Sequence, residues 1–142
     1  LRRRRLRPRY EKKADLTNEV AVMEELSKKF DCTYYKLPVK YGVDFAAVRD
    51  GVIVAFVEVK CRSVSKDTYS SYILSLGKVM SACNLQAVTG IPVILAVRWV
   101  DATAWTNICQ QFKYVIGGRK DREDWQDIEP VASIPMAAFT EI

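Results

Sequence analysis

Four residues could share a single piece of chemistry: Glu19, Asp44, Glu58 and Lys60. Glu58 and Lys60 flank Val59 at the end of a wholly apolar run, Val52 to Val57. Alternate side chains of a strand share a face, so Glu58 and Lys60 point together while Val59 turns into the core. A carboxylate and an ammonium at the end of a buried strand are costly unless they serve each other or a ligand. The competing reading is a strand that surfaces, with Lys60 and Arg62 in water. Asp44 is a lone charge in Tyr41-Gly42-Val43-Asp44-Phe45-Ala46, a segment joined to the Glu58 strand by an Asp50-Gly51 hairpin signal. Glu19 falls on a helical segment, at about 300° on a wheel that has Leu16 at zero, inside its apolar stripe. A carboxylate there needs a partner. Carboxylate oxygens bind hard cations such as Mg²⁺ or Mn²⁺, which polarise a phosphoryl oxygen and acidify a bound water. A lysine beside them can hold that water or stabilise charge developing in the transition state. The combination suits hydrolysis of a phosphodiester.

The elements that must position these groups can be read from periodicity. Leu16, Val20, Met23, Leu26 and Phe30 predict a helix over 16–30, with Glu24 at the margin of its stripe and Glu25 on the solvated side. Strands are expected at Thr33–Leu37, ended by Pro38, at Gly42–Val48 and at Val52–Lys60, the last buried on both faces. Ser63–Ser71 reads as a mobile polar loop. Ser75–Thr89 predicts a second helix stopped by Gly90 and Pro92, followed by a central strand at Val93–Val100. Asp101–Thr103 is a turn, Ala104–Gln110 and Tyr114–Ile116 are further strands, Gly117–Pro130 is a charged loop and Val131–Phe139 is mixed. The order is helix, three strands, helix, strands: an α/β sandwich around a mixed sheet flanked by helices. Register decides whether the site forms. A strict two-residue turn at Asp50-Gly51 sets Asp44 opposite Val57 and on the wrong face for Glu58. A three-residue loop, Arg49-Asp50-Gly51, or an equivalent bulge restores a shared face, and that is the expectation.

Composition narrows the chemistry. The chain has 142 residues, 49% hydrophobic and 27% charged, which is the make-up of one globular domain. It contains no histidine, which excludes a His base and His-ligated zinc catalysis. Cys32, Cys61, Cys83 and Cys109 form no C-x-x-C pair and read as reduced thiols. No apolar run approaches the ~20 residues of a membrane span, and no apolar segment follows the basic start as in a signal peptide. The expected setting is cytoplasmic, with no membrane partner. The sequence does not begin with Met, as expected of a fragment or a processed chain. Arg2, Arg3, Arg4, Arg5, Arg7, Arg9, Lys12 and Lys13 stand against Glu11 alone, +7 within a chain total of +5, so residues 14–142 carry −2. The expected organisation is a flexible basic arm, 1–14, that contacts phosphates, and one folded domain, 15–142.

The pattern resembles the PD-(D/E)XK nuclease superfamily, the restriction-endonuclease-like fold. Its hallmarks are a helix Glu, a strand Asp and then E-x-K on the next strand, in an αβββαβ core. Glu19, Asp44, Glu58 and Lys60 match in order and in element. The Pro that often precedes the Asp is replaced by Val43. The resemblance covers about residues 15–100 and implies Mg²⁺ or Mn²⁺ bound by Asp44, Glu58, the Val59 carbonyl and Glu19, with Lys60 positioning the nucleophile. Glu58-Val59-Lys60-Cys61-Arg62 and Ile91-Pro92-Val93-Ile94-Leu95-Ala96-Val97 are similar to archaeal-type Holliday junction resolvases. Ile116-Gly117-Gly118-Arg119 through Asp127-Ile128-Glu129-Pro130 is similar to small phage-encoded nucleases acting in the host cell. The implied function is metal-dependent hydrolysis of DNA, RNA not being excluded, with branched or junction DNA favoured. A homodimer would supply two sites for two strands.

Arg62 is expected to bind a phosphate beside the scissile one. Lys78 opens the second helix, where superfamily members often place a polar site residue, and it joins Arg62 and the six arginines of the arm as a nucleic-acid contact. Ser65, Lys66, Thr68, Tyr69 and Ser70 suit backbone contacts. Arg119, Lys120 and Arg122 among Asp121, Glu123, Asp124, Asp127 and Glu129 read as solvated charges, and Trp99, Trp105 and Trp125 as core or rim packing. Two other classes compete: a non-catalytic nucleic-acid-binding module on the same fold, and a virion or structural protein whose basic arm packs DNA.

Overall fold

The computed structural model describes residues 13–118, 121 and 123–142. The arm arginines, Arg2, Arg3, Arg4, Arg5, Arg7 and Arg9, lie outside the described residues, as do Arg119, Lys120 and Arg122. Chain order is α1 (Lys13–Phe30), β1 (Thr33–Lys36), β2 (Phe45–Arg49), β3 (Val52–Cys61), β4 (Ser71–Ser75), α2 (Leu76–Thr89), β5 (Val93–Arg98), β6 (Thr103–Asn107), β7 (Lys113–Gly118), β8 (Ile128–Pro135) and β9 (Thr140–Glu141). A six-stranded sheet runs β1-β2-β3-β5-β6-β9. Its β3–β5 pair is parallel and its other neighbours are antiparallel. The expected αβββαβ core is therefore present, in a mixed sheet.

α1 packs on one face, where Val22, Met23 and Leu26 meet Phe45, Val57, Val59 and Ala96. α2 packs on the other face, with Val79 and Ala82 against Phe56, Leu95 and Val97. β3 and β5 are covered from both sides, which is why they read as unbroken apolar runs. α2 begins where Ser75 caps it, its hydroxyl accepting from the Gly77 amide at 3.1 Å. It ends at Gly90, at φ 71°.

Several expectations need correction. α1 starts at Lys13, so the last two residues assigned to the arm are helical. Its buried stripe is turned toward Val22, while Leu16 and Phe30 lie at its margin, 37% and 40% exposed. Glu25 is not a solvated residue: it accepts from Arg98 at 2.7 Å and from the Thr103 hydroxyl at 3.3 Å. Ser63–Ser71 is not free. The Val64 carbonyl accepts from Val100, the Lys66 amide donates to Asp101, the Lys66 ammonium reaches Glu141 at 3.0 Å, and the Ser70 carbonyl accepts from Met136. The tail is not mixed: most of it belongs to β8, the central strand of a second sheet, β4-β8-β7, on the α2 side. Tyr72, Trp99 and Phe139 join the two sheets through edge-to-face contacts, with ring centroids 5.4–6.3 Å apart. Asp127 is buried rather than solvated. Trp99 is core and Trp105 packs edge-on against Phe30, but Trp125 is 82% exposed. All four cysteines are free thiols. Among the described residues, no helix is long and apolar enough to cross a membrane.

Gly118 closes β7 at φ 115°, and a Cβ there would stand 1.8 Å from the Asp127 carbonyl oxygen. Gly118→Ala must push β7 away from β8. Strain of about 1–3 kcal/mol is expected, a fall in melting temperature of about 3 °C or more. An unchanged melting curve would show that the two strands can part there without cost.

Candidate active site

The hairpin between β2 and β3 settles the register. Asp50 and Gly51 both take positive φ, 52° and 75°, and form a two-residue turn with Arg49 opposite Val52. The three-residue loop is therefore not used. The register shifts after Val48, which pairs with Ile53 while Ala47 pairs with Ala55. Val54 is the extra residue, a β-bulge that shifts the register as the longer loop would. Phe45 then faces Val57, and Asp44, one residue earlier, comes abreast of Glu58.

Asp44 does not lie within the strand, as expected from sequence, but in the bend before it. Pro38, a 3-10 turn at Val39–Tyr41 and Gly42 at φ 69° bring the chain round, and β2 begins only at Phe45. That late start leaves the Val59 amide of β3 without a backbone acceptor from β2. The Asp44 carboxylate supplies one, Oδ2 accepting from Val59 at 2.8 Å. In a strand the N–H and C=O of one residue leave by the same edge, so the Val59 carbonyl points to the Asp44 side.

Glu58 lies on the α2 face and is 2% exposed. Its Oε1 faces two ammonium groups, Lys60 at 3.4 Å and Lys78 at 3.3 Å. Lys78 also donates to the Gly42 carbonyl at 3.1 Å, tying α2 to the Asp44 bend. Oε2 is buried and makes no hydrogen bond. Burial, then the nearby Asp44 charge, raise the Glu58 carboxyl above its ordinary 4.5 despite the two lysines.

Glu19 enters from the other face of the sheet. Lys36 joins it to the centre, its ammonium 3.7 Å from Glu19 Oε2 and 3.5 Å from Asp44 Oδ1. The same ammonium sits 5.0 Å from the Phe45 ring centroid. Sequence reasoning missed Lys36. The signal was its place at the end of β1, opposite the residue that follows Asp44, but that pairing cannot be known before the Asp44 bend is.

Three carboxylates and three ammonium groups thus gather at one end of the sheet. The carboxylates do not close into a cage: among the described residues no three His, Cys, Asp or Glu side chains are placed to hold one ion. What converges is Asp44, Glu58 and the Val59 backbone, with Glu19 behind Lys36. Lys78, a candidate nucleic-acid contact, is paired here with Glu58 and remains partly exposed. Arg62 lies beyond Lys60, its guanidinium 5.1 Å from the Tyr72 ring centroid and donating to the Tyr72 hydroxyl at 2.6 Å.

A family model described as "Phage putative PDDEXK endonuclease" matches residues 5–142. No curated protein matches the sequence. Among solved structures, that of Archaeoglobus fulgidus Hjc, a Holliday junction resolvase from an archaeal hyperthermophile, superposes with a TM-score of 0.59. The match covers 88% of this chain and 92% of that one, at 14% sequence identity. At that identity the likeness is one of fold.

Proposed function

The chain belongs to the phage PDDEXK endonuclease family, and from that premise we propose that it hydrolyses DNA phosphodiester bonds with Mg²⁺ or Mn²⁺ as cofactor, acting on branched DNA. The observation that carries this reading is the Glu58 carboxylate: it is buried, burial raises its carboxyl above the ordinary value, and Oε2 has no hydrogen-bond donor. A structural salt bridge does not need to leave one oxygen bare. The donor set is all oxygen, which fits a hard divalent cation. Asp44, Glu58 and the Val59 carbonyl would hold it, and Glu19 would stand behind them as a further ligand. Bound there, it would supply Lewis acidity and lower the pKa of a coordinated water.

The chain's own residues supply the rest. Lys60 presents its ammonium beside Glu58, placed to hold a nucleophilic water or to stabilise charge on the phosphoryl oxygens. Lys36 and Lys78 balance the carboxylates, three positive charges against three negative, and keep the groups together before substrate arrives. Arg62 extends the positive surface along the strand, and the arginines of residues 2–9 add phosphate contacts that hold the substrate without reading its sequence. The preference for branched DNA rests on the Hjc likeness and the resolvase-like segments, and two copies of the chain would address two strands.

The test is cleavage of labelled duplex, single-stranded, nicked and four-way-junction DNA, and of RNA, each with Mg²⁺, Mn²⁺ or EDTA. Metal-dependent cutting of junctions ahead of duplex supports the proposal in full. Cutting of duplex alone removes the junction preference, and binding without any cutting favours the non-catalytic module.

A second outcome concerns stability. Folded Glu58 holds its proton more tightly than the unfolded chain does. In EDTA its contribution should therefore be most favourable at low pH, fall as pH rises from about 4.5, and level off above the raised folded value. Urea midpoints of wild type and Glu58→Gln across this range read the effect as a difference, and Mg²⁺ should recover the loss at high pH. Parallel pH profiles in EDTA would mean that Glu58 titrates normally.

A further inference from the structure

Beside the site, between the Ser63–Ser70 segment and the end of β3, lies a cleft of about 430 Å³ bounded by Arg62, Tyr69, Ser71, Tyr72 and Trp99. Its size is in the range of pockets that take one small ring system. Three aromatic rings, the apolar side chains of Val64, Ile73 and Met136 and two serines line it, and its one cation is Arg62, two residues past Lys60 and just beyond β3. Two strand residues span roughly 6.6 Å, about two nucleotide steps of B-DNA. Arg62 thus ties the cleft to the strand that carries Glu58 and Lys60.

Its walls are fixed. Tyr72 and Trp99 belong to the aromatic joint between the sheets, and both are buried. The Ser63–Ser70 segment is anchored at Val64, Lys66 and Ser70. Tyr69 is the aromatic residue of this segment and is 65% exposed. An exposed tyrosine beside a cation, over a pocket with hydroxyls, matches what stacks and steadies an unpaired base. Burial pushes the Tyr72 hydroxyl up to about 12, so it stays protonated and, having accepted from Arg62, keeps a proton to donate.

We propose that this cleft receives an unstacked nucleobase of the DNA within about two nucleotides of the scissile phosphate, with Tyr69 as its stacking surface and Arg62 at its edge. The proposal rests on the nuclease reading above and adds to it a reason for preferring branched DNA, where bases near the branch unstack at least cost.

The experiment uses the full chain without divalent cation, so that binding is read apart from cutting. Four-way DNA junctions, each with one abasic residue at a different position around the branch, are bound by wild type, Tyr69→Ala and Tyr69→Phe at fixed salt. At one position the missing base should weaken wild-type binding about tenfold and leave Tyr69→Ala unaffected, because the ring and the base are lost as one contact. Tyr69→Ala should bind the intact junction about tenfold more weakly, and Tyr69→Phe should follow wild type. If Tyr69→Ala binds every junction as wild type does, or loses the same factor on all of them, the base pocket is wrong and DNA binding stands. If wild type binds none of the junctions, the pocket and the branched-DNA reading fall together.

Discussion

Glu58→Gln is expected to reduce cleavage of any DNA that the wild type cuts by roughly 10³-fold or more, with DNA affinity little changed. That factor corresponds to about 4 kcal/mol of transition-state stabilisation. The amide keeps the size of the carboxylate and the packing against the apolar face of β3, so the fold survives. What disappears is the negative charge that burial makes both expensive to hold and effective toward a cation. Lys60 and Lys78 lose their common partner, but their side chains are 34% and 39% exposed and can turn to water. A loss in kcat with unchanged KM, and a melting temperature no lower than that of wild type, is the signature sought. Retained activity in Glu58→Gln would remove Glu58 from the chemistry and reduce the E-x-K segment to a buried ion pair. Lys60→Ala should follow the same pattern with a smaller fall, about 10²-fold.

Phe45→Ala should be the most damaging substitution outside the charged cluster. Phe45 is fully buried between α1 and the sheet, meets Tyr34 edge-to-face at 5.8 Å and underlies the Lys36 ammonium. Truncating a large buried aromatic costs about 3–5 kcal/mol, a large share of the margin of a marginally stable fold. The urea midpoint should fall without a change in slope. Activity should fall too, even well below the unfolding transition, because Phe45 fixes the first residue of β2 and hence the Asp44 bend. If the variant is destabilised and yet cuts at the wild-type rate, Asp44 is positioned by its own bond to Val59 and not by the core beneath it.

The parts of this architecture legible in the sequence are those with strong periodicity. β3, β5 and α2 are long, apolar and punctuated by Gly and Pro, and their placement differs from the sequence reading by a residue or two. The segments that escaped are short or half-exposed. β4 looks like the end of a polar loop because its partner, β8, lies some sixty residues away, and only that pairing buries Tyr72 and Leu74. β8 carries Pro130 and Pro135, which weaken any strand signal taken alone. In the site, Glu58 and Lys60 were legible because alternation along one strand ties them together. Asp44 was found, but its place in a bend was not, since that depends on a turn at Val39–Gly42 with no strong signature. Lys36 and the inward turn of Lys78 depend on tertiary contacts that local pattern does not encode. Glu19 was legible from the helical wheel even though the stripe itself was misplaced, because 300° lies inside both versions of it, near the edge of the expected one and at the centre of the observed one.

The bulge at Val54 works as a frame-setter for the strand beyond it. Residues 52 and 53 are counted from the turn, while residues 55 to 61 are counted from the bulge, one step out of phase. What the extra residue offsets is the tight turn: with Ala47 opposite Val54, Asp44 would stand opposite Val57 and Glu58 would point to the other face. Deleting Val54 alone would leave Val48 opposite Ile53 and Ala47 opposite Ala55 in an unbroken ladder, so Glu58, Val59 and Lys60 would keep both their faces and their alignment with Asp44. The bulge is thus a spare count in the hairpin: a β3 one residue shorter needs none, and one residue longer ahead of Glu58 needs a second.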